Sequence, residues 1–277
     1  MKIHKGLLLN QSFLFLATLA IAMAVAGNSS ALLGQSAWVE PLEVSWTSGV
    51  SLIVFFLLFS FLLARFRFLS GWILRFFLSV LIFSGTQFAL LPWLPPATTL
   101  LITLVVTVAF WLWRIVAIHN LSLVLAIGGV AGLVGMSISP TIAIFILSVF
   151  AIYDIIAVYR THHMVALAQN MIASGVIVGF LIPPQPMDFT TPTETALRTR
   201  SHMLLGSGDS GLPALLVAST LFYGSLAQAI IVAVSVLAGA ALMHVIFLNQ
   251  RERAPMAALP PIATAAIVGY LISLFIV

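Results

Sequence analysis

The chain of 277 residues has no cysteine and very little charge. Without thiols there are no disulfides, thiolate nucleophiles, iron–sulfur clusters or cysteine-bound zinc, and the redox compartment leaves no mark on the sequence. Charged residues make up 6% of the chain, against about 25% in an ordinary soluble domain. Eleven basic and seven acidic side chains are too few to keep a globular surface in water. His-Glu-x-x-His is absent, which removes the helical zinc-protease motif. A basic patch interleaved with aromatics is also missing, so the pI near 10.0 does not point to nucleic acid. In place of these features stand 62% hydrophobic residues and a mean hydropathy of +1.19. That composition is an all-α polytopic membrane protein.

A spanning helix needs about 20 mostly apolar residues. Such runs predict nine transmembrane helices, at 7–27, 47–66, 72–92, 97–118, 121–139, 141–160, 203–224, 226–247 and 257–276. The basic residues support that count. Lys2, Lys5, Arg65, Arg67, Arg75, Arg114, Arg160, Arg198, Arg200, Arg251 and Arg253 all fall on one side, opposite a loop with Glu40 and Glu43. The side rich in Lys and Arg is cytoplasmic, so the N-terminus is expected inside and the C-terminus outside. Ala24-Val25-Ala26 after a long apolar run also has the look of a signal-peptide cleavage site, but the run is long for a signal and a retained helix is expected. Trp38, Trp46, Trp72 and Trp93 fall near span ends, as an aromatic belt does.

Three parts are expected: residues 1–160 with six helices, 161–202 as a cytoplasmic-side loop, and 203–277 with three helices. In the middle part, Val165 to Ile182 reads as an interfacial helix and then a strand-like Val176-Ile177-Val178 run. Pro183 to His202 is the longest polar segment. No internal repeat stands out, which argues against an inverted-repeat transporter. Gly128, Gly132 and Gly135 line one side of the fifth span and permit close packing. His162-His163, at the membrane face without an acidic companion, read as interfacial residues and not as metal ligands.

Of seven acidic residues, only Asp154 and Asp209 lie inside predicted spans. A carboxylate at membrane depth costs several kcal/mol unless protonated or paired, and marks a functional site. Asp154 is about 9 Å of helix from Arg160, and Asp209 about 10 Å from His202. Both are at similar depth from the same face, with no Lys or Arg to pair with, so each is the other's natural partner. Two carboxyls sharing a site hold one proton between them. Such a pair offers the base and the acid that peptide hydrolysis requires. It equally suits a proton-coupled transporter or channel, and the physics alone leaves the two readings even.

The local motifs separate them. Tyr153-Asp154 in the sixth span and Gly206-Ser207-Gly208-Asp209 at the start of the seventh resemble the presenilin and signal peptide peptidase family of intramembrane aspartyl proteases. That family carries Tyr-Asp in one helix, Gly-x-Gly-Asp in the next, and Pro-Ala-Leu opening the last. Here the third element reads Ala257-Ala258-Leu259-Pro260. The resemblance spans roughly the whole chain, is strongest in the C-terminal half, and is of the kind shown by a compact archaeal presenilin homologue. It implies a presenilin-like fold and a two-aspartate site, Asp154 with Asp209, that activates water without cofactor or metal. Tyr153 would pack or hydrogen-bond near the pair. Gly206 and Gly208 would let backbone approach closely, and the Ala257, Ala258, Leu259 and Pro260 turn would lie against the site. It implies transmembrane peptides or proteins as substrates and the lipid bilayer as solvent. No obligate partner protein follows, while oligomerisation stays open. Val176–Leu181 offers an edge for β-addition of an unwound substrate. One residue departs from the pattern. Proline fixes φ and lacks an N–H, so alanine at 257 frees the turn to drift and bears on activity more than on fold.

Other motifs fare worse. Gly208-Asp209-Ser210-Gly211 matches the nucleophile tetrapeptide of chymotrypsin-like proteases, but that fold is a soluble β-barrel. A rhomboid-like dyad of Ser210 and His244 lacks the expected first glycine. Prepilin peptidases share Gly-x-Gly-Asp and lack the terminal Pro-Ala-Leu turn. Polar intramembrane chemistry is expected only around the two aspartates, which counts against a transporter path.

Overall fold

Peptide groups in hydrocarbon find no water, so long apolar runs close their hydrogen bonds internally as helices. The computed structural model of the chain describes residues 4–28, 50–51, 54, 67–161, 169, 171–172, 175–199, 202–250 and 256–276. In chain order these form α1 (Lys5–Gly27), α2 (Arg67–Leu90), α3 (Pro96–Leu112), α4 (Val116–Ser137) and α5 (Pro140–Ile155). Then come β1 (Gly179–Ile182), the short α6 (Thr193–Arg198), β2 (Met203–Gly206), α7 (Ser207–Tyr223), α8 (Leu226–Leu248) and α9 (Leu259–Ile276). Helix starts follow local chemistry. Pro96 and Pro140 occupy the first turns of α3 and α5, where a missing N–H is harmless. Ser225 and Gln228 bond reciprocally at 3.2 Å to open α8, a capping box.

Among the described residues, six helices are long and apolar enough to cross a membrane: α1, the Gly71–Leu90 part of α2, α4, α5 with its Ile156–Arg160 continuation, α8 and α9. That is fewer than the nine expected. Helices α3 and α7 have 17 residues each, and most of 47–66 lies outside the described residues, as do His162-His163 and most of the expected interfacial helix.

Three boundaries differ for identifiable reasons. The predicted 97–118 helix stops at Leu112, and the next starts at Val116 instead of 121. Residues 114–116 are diverted to the polar loop: Thr193 N–H donates to the Arg114 carbonyl at 2.8 Å and Val116 N–H to Thr191 at 3.0 Å. That loop is thus packed protein, with Ala196 buried against Val116, Ile177 and Leu181. The predicted 203–224 span opens as a strand, because Met203–Gly206 pairs antiparallel with Gly179–Ile182. The strand itself falls after Val176-Ile177-Val178: Gly175 turns the chain at φ +65°, and Val176 and Ile177 are buried before the ladder begins.

Helix α4 is the centre of the bundle. In its span 67% is buried, against 33–44% in the other five. It packs on α1, α2, α3 and α7, and glycines set how closely. Gly128 and Gly132 meet α1 at Ile21 and Val25, and Gly135 meets Ala218 of α7. On the fourth side Gly129 abuts the backbone of Gly85 in α2, where a methyl group on either residue would overlap a carbonyl of the other helix. Side chains such as Leu101, Val105 and Leu112 on α3 face outward at 63%, 64% and 69% exposure, as lipid contact requires. We expect Gly129→Val to force α2 from α4 and cost about 1–3 kcal/mol, the range for overpacking. Thermal unfolding in detergent reads this, and an unchanged midpoint would contradict the backbone contact.

Candidate active site

Asp154 is the penultimate residue of α5, and directly after the helix the chain forms a π-helical turn, Ile156–Arg160. Such turns are rare and recur at functional sites. The Asp154 side chain is buried at 8% exposure. Its Oδ2 accepts the Leu259 N–H at 3.2 Å, and the Ala258 backbone bonds to the same carboxylate. The sequence explains the aim of these donors. First-turn N–H groups of a helix have no partner four residues back, and Leu259 is the first residue of α9. Pro260 and Pro261 follow it with no N–H to offer, so the free donors of this helix end are concentrated at Ala258 and Leu259. Ala257 and Leu259 are each 4% exposed, so the turn is packed with alanine at 257.

Asp209 is the third residue of α7, and its Oδ2 accepts the Gly206 N–H at 3.2 Å. One turn later Pro213 sits inside the helix, so the Asp209 carbonyl lacks its usual donor. Helices α5, α7 and α9 pack on one another pairwise. They bring Asp154 within electrostatic range of Asp209. Space at Gly206 is tight, since a methyl group there would lie 3.1 Å from Asp209 Oδ2. Gly208 is exposed with open space beside it. Tyr153 is half-buried and meets Phe150 edge-on at 6.4 Å. Among the described residues no group of three or more His, Asp or Glu is arranged to hold a metal.

Residues 11–277 match the family described as signal-peptide peptidase, presenilin aspartyl protease. The chain belongs to that family. Two solved structures of a presenilin family intramembrane aspartate protease, in different crystal forms, have the same fold. The first has a TM-score of 0.67 at 25% identity and covers 98% of this chain and 99% of the other. The second has a TM-score of 0.63 at 24% identity, covering 96% and 97%. No curated protein matches. As a presenilin family member the protein is an aspartic endopeptidase of the Gly-x-Gly-Asp type, acting within the membrane.

The other polar pairings have different work. Ser210 Oγ donates to the Ser207 carbonyl at 3.1 Å, and His244 Nδ1 is 3.1 Å from Gln11 Oε1, so they form no Ser–His dyad. Polar chemistry inside the bundle is also broader than the two aspartates, which corrects the sequence expectation. Asn10, Gln11, His119, Asn120 and His244 are all buried within helices long enough to span. Gln11 Nε2 donates to the Ala240 carbonyl at 2.9 Å, tying α1 to α8. Asn10, His119 and Asn120 bond to the backbone of residues 179–183. Neutral amides and imidazoles in apolar runs were the available signal, which attention to charged groups alone passes over. Gly206→Ala is expected to crowd the Asp209 carboxylate and cut turnover at least about tenfold, the cost of one displaced hydrogen bond to a carboxylate. Gly208→Ala should leave the thermal midpoint unchanged. Assays of both variants beside unfolding curves check this, and equal turnover in Gly206→Ala would contradict it.

Proposed function

We propose that Asp154 and Asp209 are the catalytic pair of this presenilin family protease and share one proton. The ionised member takes a proton from water, whose oxygen attacks the scissile carbonyl carbon. The protonated member gives its proton to the carbonyl oxygen, forming a gem-diol, and the pair returns a proton to the leaving nitrogen as the C–N bond breaks. The observation that carries the reading is the convergence of three helices on one point. Asp154 interacts with Asp209 while it accepts the Leu259 N–H.

In this reading Ala257, Ala258, Leu259 and Pro260 hold Asp154 in register. Gly206 leaves room for the Asp209 carboxylate and Gly208 admits the substrate backbone, while Tyr153 packs beside the pair. The substrate is a transmembrane segment of another protein. Its carbonyls are bonded within a helix, so it unwinds before attack, and the β1–β2 sheet leading into α7 offers backbone to pair with.

The chain crosses the membrane nine times in this reading, with the N-terminus cytoplasmic and the C-terminus outside. Helices α3 and α7, about 26 Å long each, are the fourth and seventh crossings in chain order, and the apolar run at 47–66 is the second. Residues 1–160 and 203–277 are the two membrane parts, joined by 161–202 on the cytoplasmic side. The asymmetry of Lys and Arg supports that orientation. The enzyme needs no obligate partner protein.

Cleavage of a tagged single-span substrate in liposomes tests the assignment. Products from the parent and none from Asp154→Ala or Asp209→Ala are expected, and full activity in either variant would overturn it. Ala257→Pro should change turnover by no more than about twofold, because Leu259 already bonds Asp154. A large rise would mean that the turn is slack.

A further inference from the structure

Alternate residues of a strand direct their N–H and C=O groups to opposite edges. In β1 the pairing of Phe180 with Leu205 and of Ile182 with Met203 turns those residues toward β2, and the Val178 carbonyl accepts Ser207 N–H on that same side. Gly179, Leu181 and Pro183 therefore face the other edge. Each of them meets a side chain there. The Gly179 carbonyl lies 2.8 Å from His119 Nε2, which must carry the proton because a carbonyl only accepts. Leu181 is bonded at both groups by Asn120: its carbonyl accepts from Nδ2 at 2.7 Å and its N–H donates to Oδ1 at 3.0 Å. The Pro183 carbonyl accepts from Asn10 Nδ2 at 2.8 Å. All three side chains are buried at 1–7% exposure, and His119 stacks on Phe110 at 5.3 Å.

We infer that Asn120, His119 and Asn10 stand in for a strand along the outer edge of β1, leaving β2 at Leu204 as the open edge of the sheet, and that they are positioning residues setting the register of cleavage. The inference rests on the protease reading and extends it to residues outside the dyad. Asn120 reproduces with one amide the paired N–H and C=O of a strand residue. Asn10 and Asn120 come from α1 and α4, which pack directly on each other, so the strand is fixed to the rigid centre of the bundle. On β2 the Gly206 N–H is engaged by Asp209. Leu204, 37% exposed, faces away from β1. A substrate strand added at Leu204 thus lies two residues from Gly206 and five from Asp209, and a slip of β1 against β2 would move the scissile bond relative to the dyad.

Mass spectrometry of the cut positions, with kinetics, tests this in the full chain. The parent should cut a single-span substrate at one principal bond. Asn120→Ala, which strands two buried backbone groups, should lower kcat/KM at least about tenfold and spread products over neighbouring bonds. His119→Gln, which keeps a donor near Nε2, should retain the parent pattern, while His119→Leu should spread it. This second pair keeps the test decisive if Asn120→Ala does not fold. The same bond cut within about twofold of parental kcat/KM by Asn120→Ala or His119→Leu would overturn the inference. Because the chain has no native cysteine, Leu204→Cys in an Asp209→Asn background can trap single-cysteine substrates without catalysis. Trapping at one substrate position, scattered by His119→Leu, is expected, and no trapping at Leu204→Cys would overturn the open edge. If the parent fails to cut while register-specific trapping persists, only the catalytic assignment falls.

Discussion

A peptide group or carboxyl placed in hydrocarbon must find a partner inside the protein, because there is no water to supply one. Two acidic side chains and a two-stranded sheet are held within a bundle that is mostly apolar. Asp154 is met by the N–H groups of Ala258 and Leu259 at the start of α9. Asp209 turns back on the Gly206 N–H at the start of α7. Both helix starts carry donors that have no intrahelical acceptor, so each carboxylate satisfies groups that would be orphaned without it. The β1–β2 ladder interrupts the helical bundle, and buried amides and an imidazole on α1 and α4 complete its bonding. The site and its supports thus answer a single constraint.

Much of this was legible in the chain. The two aspartates stood out because charge is so scarce that an intramembrane carboxylate has few explanations. Gly206, Gly208 and the 257–260 turn followed from motif order along the helices. Glycines 128, 132 and 135 gave the close contacts of α4 correctly, since small residues at helical spacing permit little else. What escaped the reading was local competition for backbone hydrogen bonds. Hydropathy cannot tell whether Met203–Gly206 continues a helix or pairs with a strand some 20 residues earlier, for the run is equally apolar in both. Nor can it see that Arg114 and Val116 give up helical bonding to the loop at 191–193. The alanine at 257 was expected to loosen its turn. In the structure Ala257 and Leu259 are buried, and Pro260 and Pro261 restrict the next two positions.

The family assignment and the local geometry bear on different questions. Membership establishes an intramembrane aspartyl protease, and the fold is shared across nearly the full length of a solved relative. Helices α5, α7 and α9 hold the two aspartates and the donors that meet Asp154, α4 packs on α7, and the glycine contacts of α4 bring its neighbours to backbone distance. A substrate helix entering this site must lose its own hydrogen bonds, and a short strand, β2, runs directly into the helix that bears Asp209.

The central claim is that Asp154 and Asp209 act on one reacting centre. It is tested most directly by a structure of the protein with a hydroxyl-bearing transition-state analogue of a cleaved transmembrane peptide. The account predicts the hydroxyl between the two carboxyls, within about 2.6–3.2 Å of an oxygen of each, with the peptide backbone beside Leu204. An analogue bound with its hydroxyl on one aspartate alone, or away from both, would contradict it.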